Sequence, residues 1–197
     1  MNKILTLALA LLGAFAFTPA HATTVIPPTF DQLVNQAQLI FQGTVTDVQS
    51  QWTGEGAQRH IVSLITFKID DSIKGDPGST YTLRMLGGTV GDQTMEVTDA
   101  PKFVAGDRDI LFVENNGQQF IPLVGITYGR FHLQRDAQSG KDQVLGEHGK
   151  ALTDLSTLGP EENPAASSTS SATAPAAPLD ASAVKAAIRS KLTPRAQ

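Results

Sequence analysis

Residues 61–70, IVSLITFKID, alternate with a period of two. Ile61, Ser63, Ile65, Phe67 and Ile69 fall on one side, and Val62, Leu64, Thr66, Lys68 and Asp70 on the other. That period belongs to an extended strand, whose successive side chains point to opposite faces of a sheet. A single strand cannot bury such a face alone, so this run commits the chain to a multi-stranded sheet. The rest of the sequence supplies partners. LIFQGTVTDVQSQW (39–52) is rich in β-branched and aromatic residues. Phe41, Gly43 and Val45 share a face while Val48 is out of step, which predicts a bulge near Thr46–Asp47. Gly43 in mid-strand marks a bend or a close backbone approach. TYTLRML (80–86), TMEV (94–97), RDILFVE (108–114), QQFIPLVG (118–125), YGRFHLQR (128–135) and a weaker run at 143–145 continue the series. KGDPGS, GGTVGD and DAQSGKD are turns, and NNG (115–117) reads as a hairpin signal. This spacing of short strands predicts a small antiparallel barrel or sandwich.

One helix precedes the strands. Pro27–Pro28 blocks earlier helix formation. TFDQLVNQA (29–37) then begins with a Thr29-x-x-Gln32 capping box and places Phe30, Leu33, Val34 and Ala37 on one face.

The chain termini differ from this middle. Lys3, the apolar run ILTLALALLGAFAF and the small residues of TPAHA have the layout of a secretory signal peptide. Ala20 and Ala22 fit the small pockets of a signal peptidase, so residues 1–22 are expected to leave by cleavage before Thr23. The apolar run is shorter than the ~20 residues of a spanning helix. The chain has no cysteine, so disulfides cannot stabilise an exported form and its core must do so. These features predict an exported protein, periplasmic or secreted, of a bacterial envelope. Residues 160–178, PEENPAASSTSSATAPAAP with Pro160 at its start, are nearly devoid of apolar bulk and read as a disordered linker. Residues 179–197 regain a helical period, with Ala181, Val184, Ile188 and Leu192 in a narrow stripe flanked by Lys185, Arg189 and Lys191. The expectation is a weakly docked, separate helix on a tether. A partner-binding or membrane-surface helix is the alternative. Residues 23–159 form the expected β domain.

Chemistry is sparse. The net charge is −4, and loss of Lys3 with the signal takes the mature form to −5. Basic residues are scattered, which argues against nucleic acid as a partner. His60, His132 and His148 are far apart and show no metal-ligand spacing. No G-x-S-x-G elbow marks a serine nucleophile. Asp70, Asp71 and Asp76 lack the calcium-loop pattern and read as a solvated turn. No cofactor, metal or catalytic set is therefore expected. A candidate binding surface remains: Trp52, Tyr128, Arg130 and His132, of which Arg130 and His132 alternate and share a face. Aromatic residues and arginine are enriched at binding hot spots. The plainer role for Trp52 is to cover one end of the domain.

The stretches TFDQLVNQAQLIFQGTV, IKG, PKFVAGDRDILFV and VGITYGRF resemble a group of uncharacterised secreted bacterial proteins over most of 29–133. More distantly, Ala37, Ile40, Gly43, Val45, Lys74 and Gly75 match an A-x-x-[IV]-x-x-G-x-V first strand and later KG. That pattern resembles netrin-like domains, including tissue inhibitors of metalloproteinases. The resemblance implies an OB-fold barrel. It does not carry over the inhibitory mechanism, which uses an N-terminal cysteine where this mature chain begins Thr23–Thr24. The fold expectation is an all-β, OB-like barrel with a short N-terminal helix; an immunoglobulin-like sandwich is the runner-up. The functional expectation is an exported, non-enzymatic binding module whose partner is another envelope or secreted protein. A secreted hydrolase with a site assembled across loops, or a protease-modulating netrin-like domain, is the alternative.

Overall fold

The computed structural model describes residues 26–160 and 177–193. The expected signal peptide, its cleavage site at Ala20, Ala22 and Thr23, and most of the expected linker lie outside the described residues. The described chain is mainly antiparallel β, with a six-stranded sheet, a two-stranded sheet and two short helices.

Helix α1 (Phe30–Gln36) starts as its capping box dictates. The Gln32 amide donates to Thr29 Oγ1 at 3.2 Å, and the Thr29 amide donates to Gln32 Oε1 at 2.8 Å. Its far end is closed from a distance. Lys74 Nζ donates to the carbonyls of Val34 (2.8 Å) and Asn35 (3.2 Å), placing a cation on the negative end of the helix. Gly75 follows at φ +71°, where a Cβ would lie 2.5 Å from Leu39 Cδ2. The Lys-Gly pair thus has a structural role, joining the end of a strand to the end of this helix.

Strand β1 (Leu39–Thr53) pairs along its length with β2 (His60–Lys74). The expected bulge is present between Val45 and Asp47, and further register shifts occur at Ile40/Phe41 and Gln42/Gly43. Gly43 is closely approached, since a Cβ there would meet the Lys68 carbonyl at 3.0 Å and Phe67 Cβ at 3.3 Å. β3 (Thr80–Leu86) pairs with β2, while β4 (Gly88–Val90) and β5 (Gln93–Met95) form a small hairpin. β6 (Arg108–Val113) pairs with the first half of β1, β7 (Arg130–Arg135) with β6, and β8 (Asp142–Leu145) with β7. The sheet order is β3-β2-β1-β6-β7-β8.

Apolar cores lie on both faces of this sheet. Ile40, Ile110, Phe112, Phe131, Leu133 and Val144 meet the helices on one side. Phe41, Val45, Ile65, Phe67, Leu83, Leu111 and Val113 form a second core on the other, with Phe103, Ile121 and Leu123 from the connecting segments. Strand pairing does not close the sheet into the expected barrel, because β3 and β8 stand at opposite ends of its order. Their outer edges are covered by other means. The Leu86 amide donates to the Phe120 carbonyl, the Arg84 amide to Asn116 Oδ1, and Asn116 Nδ2 to the Thr82 carbonyl. On β8, the Val144 amide donates to the Leu179 carbonyl and the Leu152 amide to the Val144 carbonyl. Edges satisfied in this way need no closure.

Two sequence expectations are corrected here. Residues 118–125 are not a strand. The NNG turn forms, with Asn115 at φ 47° and Gly117 at φ 86°, but the returning segment makes only an isolated bridge, Val113 to Leu123. Pro122 lacks the amide that a longer ladder requires. The second correction concerns the C-terminal helix α2 (Ala181–Leu192), which is not a separate unit on a tether. Ala181, Val184 and Ile188 are buried within the helix-side core, and Leu192 packs against it. Lys185 and Arg189 both reach Asp71 (2.9 and 2.6 Å), and Lys191 reaches Asp31 (2.7 Å). Asp71 is therefore an anchor for α2 and not a solvated turn residue. Burial of Val184 and Ile188 contributes about 1.5–3 kcal/mol each, more than the typical 0–1 kcal/mol of an exposed ion pair. The apolar stripe holds the helix and the charges set its register.

Candidate functional site

Alternation along β7 sends Phe131 and Leu133 into the helix-side core and leaves Arg130 and His132 on the opposite face. Antiparallel pairing then places Asp109 of β6 directly across from His132. Asp109 is fully buried, with its carboxylate among donors. Arg130 Nε donates to Asp109 Oδ1 at 2.8 Å, and Arg130 Nη2 donates to Asp109 Oδ2 at 3.3 Å and to Asp107 Oδ2 at 2.9 Å. Arg130 Nη1 donates to the Lys102 carbonyl at 2.5 Å. The guanidinium also lies 4.2 Å from the centroid of the Phe103 ring. Its charge is thereby neutralised by two carboxylates and its plane is stacked, an arrangement suited to arginine and not to lysine.

His132 Nδ1 lies 3.0 Å from Asp109 Oδ1. The same Nδ1 lies 3.4 Å from Arg130 Nη2. The Asp109 contact is a hydrogen bond when Nδ1 carries a proton, and Nε2 is then the ring nitrogen left for other partners. His132 lines a cleft of about 450 Å³ together with Asp99, Pro101, Asp107, Thr127 and Arg130. A buried carboxylate orienting an accessible imidazole is half of a general-base arrangement. No hydroxyl completes it among the hydrogen bonds of the described residues.

Asp107, Asp109 and His132 bring ligand atoms within 4.8 Å of one another, the makings of a metal site that the sequence spacing did not reveal. The guanidinium of Arg130 sits on those same oxygens. A metal ion would have to displace it and then tolerate its charge nearby, so the chemistry of this set favours the arginine.

A larger groove of about 650 Å³ opens on the same side of the sheet. Val48, Ile65, Met85, Met95, Val97 and Phe103 give it apolar surface, Glu96, Thr98 and Lys102 give it polar surface, and Ser50 and Ser63 lie among them. The two hydroxyls are engaged with each other at 3.0 Å, and Ser63 Oγ also donates to the Gly87 carbonyl at 2.7 Å. The segment Asp99–Pro101 borders both the groove and the cleft, so one wall joins them. Asp99 holds a positive φ of 60°, an uncommon conformation for a residue other than glycine.

The four sequence candidates do not form one surface. Arg130 and His132 come together as their alternation predicts, but the guanidinium is engaged within the protein. Tyr128 packs against the helix-side core. Burial first, and then a hydrogen bond to Glu147, raise its phenol above the ordinary value. Trp52 stands near the turn of the β1–β2 hairpin with the Arg59 guanidinium 4.3 Å from its ring centroid. His60 Nδ1 lies 2.7 Å from the Gln58 carbonyl, and the side chain of His148 is outside what is described. Sequence reasoning missed Asp107 and Asp109. The available signal was a carboxylate inside an apolar strand, Asp109 in RDILFV, which needs a cationic partner when buried. Comparisons with known protein families, with curated proteins and with solved structures give no match.

Proposed function

We propose that this protein is an exported, non-enzymatic binding module of the bacterial envelope or secreted fraction, and that its groove receives an extended apolar segment of another exported protein. The observation that carries this reading is the groove itself. Its volume, about 650 Å³, falls within the ~300–1,000 Å³ of ligand sites, and apolar side chains share its lining with hydroxyl and charged groups such as Thr94, Glu96 and Lys102. Met95, half-buried at the edge of the groove, suits a surface that adapts to varied side chains. The shared wall at Asp99–Pro101 lets the polar end of a bound segment reach His132. Export is supported by the signal-like pattern of residues 1–22 and by the lack of cysteine. The finer fold assignment, an OB-like or netrin-like plan, belongs to the same proposal. It rests on the long, bulged β1–β2 pair and on the capped helix that leads into it.

The test is recovery of a partner from periplasm and culture medium by the mature chain and by Met95→Asp, which puts a carboxylate into the groove. The reading expects a partner with the wild type and its loss with the variant, at unchanged circular dichroism. Equal recovery by both overturns it.

A second reading has one observation in its favour, the Asp109–His132 pair beside the cleft. It makes the protein a hydrolase that uses Nε2 of His132 as a base. Turnover of a hydrolase substrate panel that is lost in His132→Gln supports it and removes the first reading. Absence of any turnover removes the second.

A further inference from the structure

Thr46–Thr53 of β1 is paired on one side only. β2 bonds to it along that length, whereas β6 follows β1 only as far as Thr44. The backbone of Val45 is still engaged, accepting from the Gly106 amide and donating to the Asp107 carbonyl, both at 2.8 Å. Beyond Val45 the outer edge of β1 has no backbone partner among the described residues. The β4–β5 hairpin lies nearby but sits on the face and not on the edge. Its Thr89 amide donates to the side chain of Ser50, and a Cβ on Gly88 would lie 2.3 Å from Ser50 Oγ. The contrast with the ends of the sheet is sharp, because the outer edges of β3 and β8 are hydrogen-bonded to other segments of the chain. The sequence of the β1 edge also lacks the usual protection. TDVQSQWT contains no proline and no lysine, and Asp47 is its only charge.

We propose that this edge pairs with the same edge of a second copy, antiparallel and about a two-fold axis at Ser50, to give a dimer with one continuous sheet. The sequence is self-complementary in that register. Ser50 meets Ser50, Gln49 meets Gln51, Val48 meets Trp52, and Asp47 meets Thr53. No like charges face each other, and an aliphatic β-branched side chain lies against an aromatic one, a favourable cross-strand pair. A register centred on Asp47 would instead set two carboxylates opposite one another. The interface is isologous, as a two-fold dimer requires. The backbone amides and carbonyls that it engages have no backbone partner among the described residues.

Gln49 and Gln51 are exposed and lie on the face opposite Val48 and Ser50, which line the groove. Substitutions there test the dimer without entering the groove proposed to bind a partner, so the two proposals fail independently. The experiment is sedimentation velocity on the mature chain up to high micromolar concentration. The wild type is expected to form a reversible dimer. Gln49→Lys with Gln51→Lys places lysine against lysine twice and is expected to remain monomeric with an unchanged circular dichroism spectrum. Gln49→Glu with Gln51→Glu should behave likewise, and an equimolar mixture of the two variants should restore the dimer. A wild type that stays monomeric throughout, or a dimer that survives the paired lysines, overturns the proposal. So does failure of the mixed variants to associate.

Discussion

Arg130 illustrates how one residue can look like a binding contact in sequence and serve the interior of the fold. Its side chain is 13 % exposed and its partner Asp109 is fully buried. Removing one partner of such a pair leaves the other charge without compensation, which costs about 3–5 kcal/mol. Arg130→Met is therefore expected to lower the denaturation free energy by about that amount. Arg130→Lys should recover only part of it, because an ammonium cannot reproduce the fork to Asp109 and Asp107. Equal stability of wild type and Arg130→Met by urea denaturation would contradict this account. Asp142 gives a pH-dependent prediction. Paired bonds from Arg108, both 2.8 Å, hold its carboxyl below the ordinary value of 3.8, and Arg135 adds a weaker contact. A depressed folded value means that the stabilisation is present above the unfolded value and disappears as pH falls through the folded one. Acid titration should show wild type losing more stability than Asp142→Asn below about pH 4, where the free carboxylate begins to protonate. Parallel acid limbs for the two proteins would remove this role for Asp142.

At the scale of elements, much was legible because the signals were local. Thr29 and Gln32 announce the start of α1 in adjacent turns of sequence. The bulge at Val45/Asp47 follows from Val48 falling out of step, and Gly43 is explained by the close approach of Phe67 and Lys68. What stayed hidden depends on distant partners. Lys74 looks like part of a turn until its ammonium is found on the end of α1. The stripe of α2 was readable, but its dock was not, since Asp71 and Asp31 lie far back in the sequence, Asp71 118 residues before Arg189. The candidate site divides in the same way. Alternation shows that Arg130 and His132 share a face, whereas Asp109 joins them only through the register of β6 against β7. Docking of α2 yields the prediction of this scale. Ile188→Ala is expected to cost about 2–5 kcal/mol, as for other buried isoleucines. Truncation after Gly159 is expected to cost more, because it removes the Leu179 contact with β8 as well as the helix. A thermal melt of the truncated chain that matches the full chain would return α2 to the status of a tethered appendage.

For the whole molecule, stability comes from two apolar cores on either side of one sheet, with no disulfide available. The helix-side core is closed by α1 and α2. The other is roofed by loops, the β4–β5 hairpin and the Asp99–Phe103 segment, and it is there that the groove and the His132 cleft lie. Loops on a rigid sheet are where binding sites commonly reside. In the proposed reading, this asymmetry leaves scaffolding to one face and recognition to the other. The most direct measurement places a photo-crosslinking residue at Met95 in the mature chain, irradiates it with the exported protein fraction, and maps the adducts by mass spectrometry. The account predicts a defined partner segment, rich in apolar residues, joined at position 95 and lost when Thr98→Arg narrows the groove. Unspecific adducts that Thr98→Arg leaves unchanged would contradict it.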